Sequence, residues 1–160
     1  MYALVYVDDI LVATNNELCK ELLFNKLNST YGIKDQGLLT QYLGIGIDQT
    51  KEHITIRQSK YVRDILHIFG YENAHAVSNP MEVNAHLITA STSNDMTTEI
   101  PYREAIRMLM YLVTSARPDL IFALGQLSRF VAHPSSKHIG TLKRVLRYLV
   151  GTQKYGITYT

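Results

Sequence analysis

A single cysteine, Cys19, stands in a chain of 160 residues. One thiol permits no intrachain disulfide and no thiolate metal cluster, which fits a reducing compartment. Long apolar runs are missing too. The longest covers about seven residues, Met1 to Val7, far below the roughly 20 that span a bilayer. No basic segment precedes that run and Asp8 and Asp9 come directly after it, so the N-terminus does not read as a secretory signal. Charge is sparse, at 19% of residues, and the formal net charge is only +2. That mean hides a division. Residues 1–100 carry 7 Lys/Arg against 12 Asp/Glu, whereas residues 101–160 carry 9 against 2. The second stretch is therefore a candidate for touching a polyanion. With 46% hydrophobic residues, the chain has material for a core and is not a disordered polymer.

The apolar pattern predicts an α+β chain with an acidic, β-rich beginning and a basic, helical end. Tyr2–Val7 and Ile10–Ala13 are β-rich runs separated by Asp8 and Asp9, the spacing of a tight hairpin. Both runs are apolar on both faces, which predicts a hairpin inside a sheet with its faces covered. Leu18, Leu22, Leu23 and Leu27 give the next segment helical spacing, with Asn15 or Asn16 available as N-cap. Cys19 on that helix is expected to be buried or half-buried. Residues 42–47 alternate with glycine and are expected to pair with residues 53–57 as a second hairpin. From Ser59, the residues Tyr61, Val62, Ile65, Leu66 and Phe69 keep a helical period closed by Gly70. Residues 73–100 read as a long connection. Helices are expected over 102–115, 118–131 and 136–150, two of them opened by Pro101 and Pro118. Residues 155–159 revert to strand alternation.

The adjacent Asp8 and Asp9 carry the clearest chemical signal. Asp favours turns, and an Asp-Asp hairpin tip needs no function. The alternative is a divalent cation. Two carboxylates flanked by buried apolar strands repel each other, and a hard cation such as Mg²⁺ or Mn²⁺ neutralises them. Paired metals of this kind clamp the attacking and leaving oxygens in phosphoryl transfer.

Tyr6-Val-Asp-Asp at a hairpin tip resembles motif C of reverse transcriptases, and the chain as a whole resembles the copia-type (pseudoviral) retrotransposon branch along essentially its entire length. The resemblance rests on an ordered series: Tyr6-Val-Asp-Asp-Ile-Leu11, Lys34-Asp-Gln-Gly37, Tyr42-Leu-Gly-Ile45, Ser59-Lys-Tyr61, Val77-Ser-Asn-Pro-Met81 and Pro101-Tyr-Arg-Glu-Ala105. It continues through Leu109-Met-Tyr-Leu112, Arg117-Pro-Asp119, Leu127-Ser-Arg-Phe130 and Lys143-Arg-Val-Leu-Arg-Tyr-Leu-Val-Gly-Thr152.

The resemblance implies the C-terminal half of a polymerase. Residues 1–57 would be the end of the palm, 58–100 the first thumb helix and a linker, and 101–160 the basic thumb and connection toward an RNase H domain. Asp8 would bind catalytic Mg²⁺ or Mn²⁺ with Asp9 beside it, and Tyr6 and Val7 would lie beneath the primer terminus. Tyr42, Leu43 and Gly44 resemble the primer grip, where a missing Cβ lets a nucleic-acid backbone approach. On the residues alone, the same stretch is equally a glycine-rich strand. The family's further aspartate, from motif A, is expected upstream of Met1 with the fingers, so the metal cofactor belongs to a complete palm. The expected partners are an RNA or DNA template with primer and the remaining Pol polyprotein, including its integrase and RNase H regions. No membrane partner is expected, and the expected location is an intracellular virus-like particle or the nucleus.

On the last helix, Ile139, Leu142, Val145, Leu146 and Leu149 form the expected buried stripe, and Lys143, Arg144 and Arg147 lie outside it. Such charges are usually a solvated face. The local basic excess favours the alternative, a surface that tracks duplex phosphates. The histidines at 53, 67, 75, 86, 133 and 138 are scattered and give no zinc pattern. Arg117-Pro-Asp119 reads as a structural helix start with Asp favoured by the helix dipole. The chain departs from the family at Thr40-Gln41, at Ile139 and at Arg107-Met108, where a small pair is usual and close helix packing is expected. These departures fit a decayed element copy translated from an internal Met, and a non-catalytic nucleic-acid-binding relic is the alternative function.

Overall fold

A computed structural model of the chain describes residues 1–82, 85, 87 and 100–160. His86 and most of the connection beyond Glu82 lie outside the described residues. Contacts divide the chain into two units, Met1–Leu39 and Thr40–Thr160. The architecture is α+β.

The first unit holds strands β1 (Tyr2–Tyr6) and β2 (Asp9–Ala13) and helix α1 (Glu17–Tyr31). The strands pair antiparallel from Tyr2↔Ala13 to Tyr6↔Asp9 and form a two-stranded sheet of their own. The register corrects the expected tip. Because Tyr6 pairs with Asp9, the two turn residues are Val7 and Asp8, and Asp9 opens the second strand. The expected cover is also absent among the described residues. Every residue of β1 is exposed, because no further strand pairs with the hairpin and two strands cannot shield both of their own faces. Helix α1 starts where Asn16 accepts a hydrogen bond from the Cys19 amide, 3.4 Å away, and ends at Gly32, whose φ of 65° suits a residue without Cβ. It buries none of its residues, and Cys19 is exposed rather than half-buried.

The second unit is built on a four-stranded antiparallel sheet in the order β3 (Gln41–Tyr42), β4 (Ile45–Gln49), β5 (Ile54–Arg57), β6 (Gly156–Tyr159). The expected single strand over 42–47 is interrupted. Tyr42 pairs with Ile45, so Leu43 and Gly44 make a two-residue hairpin turn with φ of 49° and 79°, the left-handed pair that matches strand twist. The expected pairing of the second hairpin is observed, with Ile47 opposite Ile56. The strand expected near the C-terminus pairs with β5, a partner 103 residues away at the Thr55–Thr158 hydroxyl contact of 2.9 Å. A Cβ on Gly156 would overlap the Ile56 carbonyl and lie 2.9 Å from the Arg57 Cβ, so only glycine permits this approach.

Four helices carry the core: α2 (Ser59–Ile68), α3 (Tyr102–Ser115), α4 (Ile121–Ser128) and α5 (Ser136–Gly151). Ile65, Leu66, Leu109, Leu112, Leu124, Leu127, Leu142, Leu146 and Leu149 are fully buried together, which is the helical spacing turned into one apolar interior. The expected helix over 118–131 begins as a 3₁₀ turn at Pro118–Leu120 and stops at Ser128. Arg107 is exposed, so its long cation does not interrupt helix packing as the sequence implied; Met108 takes the position against the core. Helix α5 opens with a reciprocal cap in which the Ser135 amide donates to His138 Nδ1 at 2.8 Å. His138 is fully buried and stacks on Phe130 at 4.1 Å.

Arg117 ties the unit together. It is 1% exposed, donates from Nε and Nη2 to the two oxygens of Asp119 at 2.9 and 2.7 Å, and reaches the carbonyl and hydroxyl of Thr152 at 3.0 and 2.8 Å. Tyr148 donates to the same Asp119 carboxylate at 3.0 Å. The structural reading of Arg117-Pro-Asp119 is therefore correct, with a stronger cause than a helix dipole.

Candidate functional site

The candidate residues fall in both units. In the first, Tyr6, Val7, Asp8 and Asp9 form the tip of the β1–β2 hairpin, and all four are exposed. Val7 has φ of 50°. A β-branched residue in the left-handed region is a conformational outlier that costs of order 1–2 kcal/mol. Glycine would remove that cost, so the turn holds Val against its preference, the kind of strain that gathers at functional sites. The Asp8 and Asp9 carboxylates are oxygen donors of the hardness that Mg²⁺ and Mn²⁺ prefer. Among the described residues, no group of three or more His, Cys, Asp or Glu side chains is placed to hold a metal ion. The donor chemistry fits a divalent cation; a complete ligand set is not gathered.

In the second unit, Tyr42, Leu43 and Gly44 lie at the β3–β4 turn. The Tyr42 ring is half-buried, and its hydroxyl is buried with no hydrogen-bond partner among the described residues. Leu43 is 39% exposed. The sequence reading missed the residue that touches this turn. Tyr111, on α3, donates its hydroxyl to the Leu43 carbonyl at 2.7 Å, across 68 residues of chain. Tyr111 meets Tyr61 of α2 edge-on, with ring centroids 5.2 Å apart. Burial raises the Tyr61 hydroxyl pKa above the ordinary value, and the neighbouring Tyr111 adds to it. Tyr111 stands inside the stretch Leu109–Leu112, but no local pattern ties a helix tyrosine to a distant turn carbonyl.

The basic residues of α5 are engaged. Arg144 donates to Asn79 Oδ1 at 3.2 and 2.6 Å and to Glu82 at 3.2 Å, and Arg147 donates to the His75 carbonyl at 2.8 Å. Both arginines thus fasten the segment after α2 onto α5. Lys143 is half-buried on the same helix. No helix among the described residues is long and apolar enough to cross a membrane.

Residues 1–83 match the family model described as reverse transcriptase (RNA-dependent DNA polymerase). The chain belongs to the reverse transcriptase family, in its copia-like branch. This reverse transcriptase region is 34% identical over 157 residues to the retrovirus-related Pol polyprotein from transposon RE1 of Arabidopsis thaliana, covering 98% of this chain and 11% of that protein. It is also 34% identical over 157 residues to the Pol polyprotein from transposon TNT 1-94 of Nicotiana tabacum, covering 93% of this chain and 12% of the relative. An uncharacterized mitochondrial protein of Arabidopsis thaliana is 32% identical over 159 residues, with 98% of this chain and 64% of that protein covered. The chain thus spans about a tenth of the length of the Pol polyproteins it resembles. No solved structure matches it.

Proposed function

We propose that the chain supplies motif C and the primer-holding parts of a retrotransposon reverse transcriptase. The strained hairpin tip carries this reading: two adjacent exposed carboxylates held beside Val7 at φ of 50°. In this reading Asp8 and Asp9 are catalytic metal ligands for Mg²⁺ or Mn²⁺, and Tyr6 and Val7 support the primer terminus. Residues 1–57 act as the end of the palm, 58–100 as the first thumb helix and linker, and 101–160 as the basic thumb and connection. Tyr42, Leu43 and Gly44 hold the primer 3′ end, with the left-handed turn bringing backbone to the nucleic acid. Lys143, Arg144 and Arg147 face duplex phosphates, where a phosphate competes with the exposed Glu82 for Arg144. The partners are a primed RNA or DNA template and the rest of a Pol polyprotein, in an intracellular particle or the nucleus.

Bound metal would lower the charge of the triphosphate and align the attacking 3′ oxygen. Two carboxylates from one turn do not hold two cations about 3.5–4 Å apart while orienting a triphosphate. The isolated chain therefore binds primer–template and does not extend it, which also favours the non-catalytic binding module as a second reading. Primer extension on poly(rA)/oligo(dT) with Mg²⁺ or Mn²⁺ is expected to show no incorporation by residues 1–160. Template-dependent incorporation by the purified chain would refute this. Affinity for an RNA–DNA hybrid is expected to fall between low and moderate salt, and a flat salt response would remove the phosphate contacts from the proposal.

A further inference from the structure

We propose that Tyr111 is a positioning residue that fixes the shape of the Leu43–Gly44 turn. The proposal rests on reading that turn as the nucleic-acid contact and adds the group that sets its geometry. Leu43 occupies the left-handed region at φ of 49°, a conformation unfavourable for a residue with a branched side chain and better suited to Gly or Asn. The Tyr111 hydroxyl donates to the carbonyl of that same residue at 2.7 Å, so the bond is made only while Leu43 stays turned. Gly44 completes the fit: a Cβ there would stand 3.4 Å from the Tyr111 oxygen, and its φ of 79° excludes an ordinary side chain in any case. The ring is itself fixed by the edge-on contact with Tyr61, whose hydroxyl reaches the Met108 carbonyl at 3.4 Å. Tyr111 thus links the turn to the helical core, so movement of α3 is transmitted to the turn through one hydrogen bond.

Three variants of the full chain test this by hydrogen exchange of the Ile45 and Ile47 amides and by affinity for a fluorescent RNA–DNA hybrid. Tyr111→Phe keeps the ring and removes only the hydroxyl. It is expected to leave the circular dichroism unchanged, to speed turn exchange about fivefold, and to weaken hybrid binding by a similar factor. Adding Leu43→Asn, which accepts the left-handed conformation, is expected to return exchange toward the wild-type rate, a rescue that a purely packing role would not give. Leu43→Glu places a negative charge at the contact and is expected to weaken the hybrid without depending on Tyr111. Unchanged exchange in Tyr111→Phe, with Leu43→Glu still weakening the hybrid, overturns the positioning role alone. Faster exchange in Tyr111→Phe with no effect of Leu43→Glu on the hybrid overturns the nucleic-acid reading of the turn, and the proposed positioning of nucleic acid with it.

Discussion

Replacing Arg117 by Met removes the guanidinium while keeping most of its apolar volume, and the structure sets the size of the effect. Four hydrogen bonds disappear, two to Asp119 and two to Thr152. The Asp119 carboxylate is left with Tyr148 as its side-chain donor. Breaking a buried ion pair by removing one partner costs about 3–5 kcal/mol. The lower end applies to that pair, because the Asp119 side chain is 32% exposed and recovers some hydration. Thr152 keeps a use for both groups: its hydroxyl donates to the Tyr148 carbonyl at 2.9 Å and its carbonyl still accepts from the Tyr155 amide at 3.1 Å, so neither is stranded and little is added. The expected loss is about 3 kcal/mol, or about 12 °C in Tm for a unit of this size. Urea and thermal unfolding monitored by circular dichroism measure it at neutral pH.

A pH series gives an independent reading of the same pair. Burial pushes the Asp119 carboxyl up, but the Arg117 hydrogen bond, the Arg117 charge and the Tyr148 hydroxyl together outweigh it, so the group titrates below its ordinary 3.8. A folded value lower than the unfolded one stabilises the protein above pH 3.8, and that contribution is lost as pH falls through the folded value. Arg117→Met should abolish this part of the acid dependence, and Arg117→Met/Asp119→Leu should recover at least half of the lost stability. A cost below about 1 kcal/mol, or no recovery in the double variant, refutes the argument.

Gly156→Ala pushes a methyl group into the Ile56 carbonyl and should cost about 2–3 kcal/mol, with amide exchange accelerated first at the β5–β6 ladder; a wild-type melt would contradict the close approach. Burial and the neighbouring Lys137 hold the His138 imidazole below its usual value of 6.5. The unfolded chain then takes up the proton first, so stability should decline as pH drops below 6.5 and level off below the folded value. In His138→Gln, which keeps an acceptor for the Ser135 amide, that part of the decline should vanish from urea midpoints measured at pH 8 and pH 5. Asn16→Ala removes the acceptor for the Cys19 amide and should lower the stability of α1 by about 1 kcal/mol, read as faster exchange in its first turn.

Legibility tracks the range of the forces. Helical periods are readable because one turn places Val62, Ile65 and Leu66, or Leu142, Val145 and Leu149, on one side irrespective of what they pack against. Caps such as Asn16 and Gly70 are readable for the same reason, since they act within one turn. The tip of the first hairpin shifts by one residue from its expected place, because local preference favours Asp8–Asp9 over a turn containing Val7 and the Tyr6–Asp9 pairing overrides that preference. The Leu43–Gly44 turn reads as strand because leucine gives no local turn signal. Cys19 and the apolar strands of the first unit read as covered, since composition records the preference for burial but not the availability of a partner. Of the candidate site, the carboxylate pair and the glycine are visible in sequence. Tyr111 and the docking of Arg144 and Arg147 are not, since their partners lie 62 to 72 residues away.

The pairing of β5 with β6 joins residues 54–57 to residues 156–159. Closing so large a loop costs chain entropy before any ladder bond is formed, so this edge of the sheet is slow to complete. Until then β5 presents its free edge to other chains, and synthesis must deliver β6 before that edge is capped. Residues 156–159 therefore govern the order of assembly: they cover β5 and complete the four-stranded sheet, and removing them would trade a folding delay for an aggregation route.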